Sequence, residues 1–263
     1  MIFRVQARTL VLVVIVVAAV TAVFFVPPVP QDPAYHHFAD HRALLGIPNF
    51  WNVISNLPFL LVGLLGLRTL ARGELVSGVP GLRAVYWTFF AGVSAIAFGS
   101  GYYHWAPSNA TLVWDRLPMT VAFMAFFSAI VGERISADAG RRALLPLLAL
   151  GVGSVVYWHV GELHGSGDLR PYAVVQFLPM LLIPLILILY PARIRPSGYL
   201  WAVLLLYGLS KFAELWDAAI FHELGSLSGH SIKHLLAALG TYCFVLALRR
   251  RYVVANVLEP VSA

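Results

Sequence analysis

The 263-residue chain has one cysteine and few charged residues, and each scarcity excludes a class of protein. A single cysteine, Cys243, excludes an internal disulfide framework and a zinc site built from several thiolates. Charged residues make up 11% of the chain and hydrophobic residues 60%, whereas about 25% of residues are charged in soluble domains. The net charge of +6 does not indicate a nucleic-acid partner, because the basic residues lie in short clusters between apolar stretches. The composition therefore predicts a polytopic membrane protein.

Eight apolar stretches approach the roughly 20 residues that a membrane-spanning helix needs. They are Leu10–Val26, Phe50–Leu70, Leu82–His104, Thr111–Gly132, Leu144–Val160, Tyr172–Tyr190, Gly198–Phe221 and His230–Leu248. The sequence thus predicts an all-α helical bundle in the membrane. The first stretch has the basic flank of a signal peptide, but it is long and lacks a small-residue cleavage site. We interpret it as an uncleaved anchor helix.

Basic residues mark alternate connections between these stretches. They are Arg4, Arg8, Arg68, Arg72, Arg83, Arg134, Arg141, Arg142, Arg193, Arg195, Arg249, Arg250 and Arg251. Because cytoplasmic loops are enriched in Arg and Lys, this pattern predicts that both termini are cytoplasmic, which agrees with an even number of spans. The span ends at His104, Asp115 and His230 then all face the non-cytoplasmic side.

Three histidines at predicted span ends indicate a metal site. His230 and His234 have the H-x-x-x-H spacing, which places two imidazoles on one helix face, one turn apart. His104 closes a different apolar stretch. Three histidines with an open fourth position are the ligand set of a catalytic zinc. A single intramembrane histidine is more often a hydrogen-bonded packing residue, and it is the convergence of three on one face that favours metal.

Asp115 and Ser100 lie beside this predicted site. Asp115 is interpreted as a fourth ligand or as a base that takes a proton from water. Its alternative role is a charge at a helix N-terminus, neutralised by Arg116. Ser100 lies one turn before His104, so its hydroxyl would reach the same water or a substrate carbonyl. Its alternative role is packing within the Gly99-Ser100-Gly101 run. Zinc, a carboxylate and a hydroxyl together suffice for hydrolysis of an amide or ester.

Four motifs resemble the alkaline ceramidase family, which belongs to a superfamily of membrane hydrolases that also holds the adiponectin and progestin receptors. They are Asn49-Phe50-Trp51-Asn52-Val53-Ile54-Ser55-Asn56-Leu57-Pro58, Ser100-Gly101-Tyr102-Tyr103-His104, Trp114-Asp115-Arg116-Leu117-Pro118-Met119 and His230-Ser231-Ile232-Lys233-His234. The resemblance implies a seven-helix core, zinc held by His104, His230 and His234, and catalytic roles for Asp115 and Ser100. It also implies cleavage of the amide of ceramide, a step of sphingolipid metabolism.

The chain departs from this family in three places. Residues 1–30 add an N-terminal anchor helix to a seven-transmembrane domain over residues 31–263. Only Asp32 and Asp40 lie upstream of the first core helix, where animal members place an acidic calcium site, so calcium is doubtful. Lys233 stands between two of the histidines, where eukaryotic members carry an aromatic residue. The head group of the substrate is therefore expected to differ, and an anionic or phosphorylated head is one option.

Further charged residues lie in the seventh predicted span. Lys211 and Glu214 are expected to pair, since charges in the membrane generally do, and Asp217 has either a structural or a head-group-binding role. Polar residues near the same face are interpreted as interface loops: His159, Glu162, His164, Asp168 and Arg170.

The resulting hypothesis is a zinc-dependent integral membrane amidohydrolase. It cleaves the N-acyl bond of ceramide-like lipids that enter from the bilayer. The alternatives are a lipid ester or other lipid hydrolase with the same zinc site, a non-catalytic receptor-like protein, and a transporter that uses the charges of the seventh span as a proton relay.

Overall fold

The computed structural model describes residues 2–74 and 79–253, which form ten α-helices and one pair of two-residue strands. The helices are α1 Ile2–Phe24, α2 Phe50–Ile54, α3 Leu57–Ala71, α4 Arg83–Trp105, α5 Asn109–Arg134, α6 Ala137–Leu163, α7 Arg170–Leu189, α8 Gly198–Leu215, α9 Asp217–Leu224 and α10 Gly229–Arg250. The strands β1 Ile194–Arg195 and β2 Tyr252–Val253 pair antiparallel. The predicted all-α fold is confirmed.

Seven helical segments in the described residues are long and apolar enough to cross a membrane. They are Ala7–Phe24, Phe50–Ala71, Arg83–Trp105, Asn109–Arg134, Ala137–Leu163, Arg170–Leu189 and Gly229–Arg250. The protein is therefore a multi-pass membrane protein. The predicted span Gly198–Phe221 is not among the seven, and it divides at Trp216 into α8 and α9. The total of eight spans stays a prediction.

Helix boundaries near the candidate site follow local sequence signals. Ser108 and Ser228 cap α5 and α10, because each hydroxyl accepts a hydrogen bond from a backbone N–H of the first turn. The predicted span Phe50–Leu70 is divided into α2 and α3 around Ser55 and Asn56. Pro58 follows at the start of α3, where its missing N–H costs nothing.

Packing of long helix pairs builds the bundle. α4 lies between α3 and α5, α5 packs along α6, and α10 packs along α8. Phe89, Phe90, Phe126 and Phe244 join α4, α5 and α10 at the centre of the core through ring contacts. α1 lies at the edge against α7, with most of its apolar side chains exposed, as expected of a helix that faces lipid. The division at residue 30 stays a prediction.

The two ends of the bundle differ in character. At one end, residues 25–49, here called the cover segment, lie over the starts of α5, α7 and α10, with contacts such as Leu169 N to Val29 O at 2.8 Å. At the other end lie arginines of the basic clusters. Arg251 pairs with Glu133 at 2.7 Å, and Arg134 donates to Ser197 at 2.8 Å. The basic connections therefore gather opposite the cover segment.

Candidate metal centre

The structure brings His104, His230 and His234 together beneath the cover segment. One ring nitrogen from each lies within 4.8 Å of the other two, and all three side chains are buried. The ring centroid of His104 lies 4.8 Å from that of His230 and 4.9 Å from that of His234. More than a hundred residues separate His104 from the pair in sequence, so packing of α4 against α10 closes the cluster.

The start of α10 is fixed by two side chains. The hydroxyl of Ser228 caps the helix at Ser231 N. Asp217 Oδ1 accepts a hydrogen bond from His230 N at 2.6 Å, while its Oδ2 accepts one from Ala39 N at 3.0 Å. A carboxylate at a helix N-terminus also interacts favourably with the helix dipole. Asp217 therefore ties α10 to the cover segment, which favours the structural role over head-group binding.

The spacing of the histidine nitrogens fits a zinc ion. His104 Nε2 and His230 Nε2 lie 3.3 Å apart. Zinc binds imidazole nitrogen at about 2.0–2.1 Å in a tetrahedral arrangement, which separates two ligand nitrogens by about 3.3–3.4 Å. Three neutral nitrogen ligands from one protein leave the fourth position of a catalytic zinc open. The donor set, and the spacing of this one pair, are therefore compatible with zinc.

A serine from α2's C-terminal end orients the third histidine. Ser55 Oγ lies 2.8 Å from His234 Nδ1 and 3.2 Å from the carbonyl oxygen of Asn52. The hydroxyl donates to that carbonyl and therefore accepts from His234 Nδ1–H. This tautomer leaves the lone pair of His234 Nε2 free for a metal. Ser55 belongs to the first of the four sequence motifs, which did not predict this role.

Two asparagines near Ser55 hold the histidine-bearing helices in the same way. Asn49 Nδ2 donates to the carbonyl oxygen of His104 at 2.8 Å. Asn52 Oδ1 accepts from the hydroxyl of Ser231 at 2.9 Å, between the two histidines of α10. Together with Ser55 these residues recur at every third position, across α2 and the two residues that flank it. Polar residues at this spacing in an apolar stretch were the signal that sequence reasoning missed.

Asp115 and Ser100 line a cavity of about 350 Å³ whose wall also includes His234. Both side chains are more than nine-tenths buried. The Ser100 side chain lies close to the Asp115 carboxyl. Much of the remaining wall is aromatic or aliphatic, with Phe123, Phe126 and Met180 among its residues. The arrangement places a carboxylate and a hydroxyl on the wall of an apolar chamber that reaches the histidine cluster.

A family model described as Ceramidase matches residues 39–165. The predicted resemblance to the ceramidase family is therefore confirmed over these residues. The matched range includes Ser100, His104 and Asp115, while His230 and His234 lie beyond it. A comparison with curated protein sequences gives no match. The family is one of hydrolases that act on amide bonds, and the three-histidine cluster adds a group capable of holding a metal.

Arg116, the neighbour of Asp115, does not hold it in a close ion pair. Arg116 Nη2 instead donates to Gln31 Oε1 in the cover segment at 2.6 Å. The guanidinium lies over the rings of Trp158 and Tyr172, 4.2 and 4.7 Å from their centroids. The alternative in which Arg116 merely neutralises Asp115 is therefore not favoured.

Lys211 and Glu214 pair as predicted, and Lys233 joins them. Lys211 Nζ lies 2.7 Å from Glu214 Oε2, and Lys233 Nζ lies 2.5 Å from Glu214 Oε1. All three residues line the same cavity as Asp115. One carboxylate thus lies between two ammonium groups, on the helices α8 and α10 that pack along each other.

Two of the remaining acidic residues at this end, Glu162 and Asp168, have structural contacts. Glu162 accepts hydrogen bonds from Gln31 N, Trp158 Nε1 and Asn109 Nδ2 at 2.8, 3.0 and 3.2 Å. Hydrogen bonds from Arg170 hold the pKa of Asp168 below its ordinary value.

The two acidic residues considered for calcium are engaged elsewhere. Asp32 Oδ1 accepts a hydrogen bond from Ala34 N at 2.8 Å. Burial raises the pKa of Asp40, but hydrogen bonds from Arg42 outweigh it and leave the pKa lowered. Each carboxylate therefore has a contact within the cover segment that accounts for its position.

Proposed function

We propose that this protein is a zinc-dependent membrane amidohydrolase that cleaves the N-acyl bond of ceramide-like lipids. The observation that carries the proposal is the meeting of His104, His230 and His234 beside a cavity lined by Asp115 and Ser100. The family match supports amide hydrolysis, and the neutral nitrogen ligands support zinc.

The cavity supports a lipid substrate. Its volume of about 350 Å³ and its mainly apolar wall suit a hydrocarbon chain. The charged side chains of the cavity wall come from α5, α8 and α10. A lipid entering from the bilayer would place its chain along the apolar wall and its amide near the histidines. This orientation brings the scissile carbonyl toward Ser100 and Asp115.

The chain's own residues divide the chemistry between them. When bound, zinc supplies Lewis acidity that polarises a carbonyl and acidifies water. Asp115 takes a proton from the attacking water as the water oxygen bonds to the acyl carbon. Ser100 orients that water or the carbonyl oxygen through its hydroxyl. Asp115 then returns the proton to the amide nitrogen as the carbon–nitrogen bond breaks, which releases a fatty acid and an amine base.

Metal analysis and product analysis of the purified protein test the proposal. We expect about one zinc per chain, since one tetrahedral site is offered, and release of fatty acid from an N-acyl sphingoid base. His104→Ala should lose both activity and most zinc. His222→Ala is the matched control, because the His222 side chain is 86% exposed. Full zinc content in His104→Ala would refute the metal assignment.

The esterase and receptor-like alternatives are tested with the same preparation. If an ester is cleaved and the matching amide is not, the protein is a lipid esterase with the same metal centre. If zinc is bound and a panel of amides and esters yields no fatty acid, the receptor-like alternative is favoured.

A further inference from the structure

The cavity next to the candidate metal centre carries an excess of positive charge. Among the described residues, the side chains of its lining that carry charge at neutral pH are Asp115, Arg116, Lys211, Glu214 and Lys233. Three of these are basic and two are acidic, so the wall carries one net positive charge with His234 neutral. An uncompensated charge in an apolar chamber is costly unless a ligand supplies the opposite charge.

Arg116 has an unused donor in this chamber. Its side chain is only 5% exposed, and Nη2 donates to Gln31 as described above. Nη1 is buried and has no hydrogen-bond partner among the described residues. A buried charged donor left without an acceptor costs more than a neutral one. The aromatic rings of Trp158 and Tyr172 hold the guanidinium in place without satisfying that donor.

The two lysines of the cavity are also incompletely neutralised. Lys211 and Lys233 share the single carboxylate of Glu214. Each ammonium has three N–H donors, and within the part of the chain that the structure describes each makes one hydrogen bond, to Glu214. Tyr35 lines the same cavity, and the Arg116 guanidinium lies 5.9 Å from its ring.

We propose that Arg116 and Lys233 form a subsite for an anionic head group of the lipid substrate. This inference rests on the proposed amidohydrolase function and names its substrate class as N-acyl lipids with a negatively charged head, such as a phosphate ester. A guanidinium and an ammonium both bind phosphate or carboxylate oxygens strongly. The carboxylate of the released fatty acid forms at the scissile carbonyl, beside the histidines. Before cleavage the amide is uncharged, so an anion of the intact substrate that reaches Arg116 belongs to the head group.

Turnover of two matched lipids tests the subsite. Both are N-acyl sphingoid bases with the same acyl chain, and one has a free hydroxyl head while the other has its phosphate ester. We expect wild-type kcat/KM to be at least about tenfold higher for the phosphorylated lipid, the range that one or two charged hydrogen bonds provide. In Arg116→Gln the ratio between the two lipids should fall towards one. In Arg141→Gln, which alters an exposed arginine, the ratio should stay as in wild type.

Two turnover results would overturn the inference. One is equal kcat/KM for both lipids in the wild-type protein, a measurement that needs no variant to fold. The other is an equal loss on both lipids in Arg116→Gln. The two lipids release the same fatty acid, so an equal loss would assign the guanidinium to the product carboxylate or to the fold.

Binding of a non-hydrolysable amphiphile separates this inference from the proposed function. Dodecyl phosphate should bind the purified wild-type protein at least about tenfold more tightly than dodecanol in calorimetry, and Arg116→Gln should remove the difference. That result supports the subsite even if no lipid is hydrolysed. If dodecyl phosphate binds no better than dodecanol, or binds equally well to Arg116→Gln, the subsite is refuted even if ceramide is hydrolysed.

Discussion

His234 presents its Nε2 atom to the candidate metal centre because its other ring nitrogen is bound by Ser55. A histidine that ligates a metal usually donates its second N–H to a fixed acceptor, which sets the tautomer and the ring orientation. Ser55 itself is held by the carbonyl of Asn52. A hydroxyl outside the ligand set thus determines how one ligand is aimed.

Replacing Ser55 tests this arrangement at the residue scale. Ser55→Ala should lower zinc affinity by roughly 10–100-fold, the usual effect of removing such a partner, while zinc at saturating concentration restores activity. Competition with a chelator of known affinity measures the change. Ser154→Ala is the matched control, because the buried hydroxyl of Ser154 donates to Gly151 within its own helix. Equal zinc affinity in both variants would mean that Ser55 does not orient the ligand.

Asp115 offers a second test at this scale, because its possible roles leave different traces. If Asp115 is the proton acceptor, the Asp115→Asn variant should keep both its metal and its fold. Loss of general base catalysis should lower kcat by roughly 10²–10⁴-fold. Zinc analysis and kinetics on the same Asp115→Asn sample decide the matter. Loss of zinc would make Asp115 a ligand, and near-normal kcat with zinc present would limit it to a structural charge.

At the scale of helices, the approach of α4 to α5 sets the distance between Ser100 and Asp115. Gly99 precedes Ser100, and a Cβ at this position would collide with the carbonyl oxygen of Trp114, the residue before Asp115. Gly101, two residues later, has open space around its Cα. Small residues allow membrane helices to approach closely. Only one of these two glycines is therefore required by the packing of the helices.

A paired substitution in this run tests the helix contact. Gly99→Ala should push α5 away from α4, lower the free energy of unfolding by about 1–3 kcal/mol and reduce activity more than zinc content. Gly101→Ala should leave activity unchanged, since its added methyl group meets no atom within 4 Å. Melting temperature, zinc content and turnover are measured on both. Equal behaviour of the two variants would contradict the close contact.

Across the whole molecule, the candidate metal centre and the basic connections lie at opposite ends of the bundle. α6 runs between the two ends, with Arg141 exposed in its second turn and His164 exposed just after its last residue. Its 27 residues would extend about 40 Å at 1.5 Å per residue, enough to cross a bilayer. If Arg-rich connections face the cytoplasm, the metal centre faces the other side.

Cysteine labelling tests this orientation. In a Cys243→Ser background, His164→Cys should react with a membrane-impermeant maleimide in intact cells. Arg141→Cys should react only after permeabilisation. Both positions are exposed in the structure, so a difference in labelling reports the side of the membrane. The opposite labelling pattern would reverse the orientation predicted from the arginines.

Features that depend on neighbours along the chain were predictable from the sequence. The scarcity of charge determined the membrane environment, and the 3.6-residue helical period determined that His230 and His234 share a face. The pairing of Lys211 with Glu214 follows from the same period and is confirmed. Helix ends were less predictable. The interruption near Ser55 and the separation of α8 from α9 were not predicted.

Contacts between distant residues were decided by tertiary structure. The sequence placed His104 on the same membrane face as His230, but only the packing of α4 and α10 brings their nitrogens to 3.3 Å. It also did not predict that Arg116 would turn to Gln31, or that Lys233 would share Glu214 with Lys211. The physical reason is that helical periodicity fixes which residues share a face. The rotation and approach of whole helices, which no local pattern encodes, fix which faces meet.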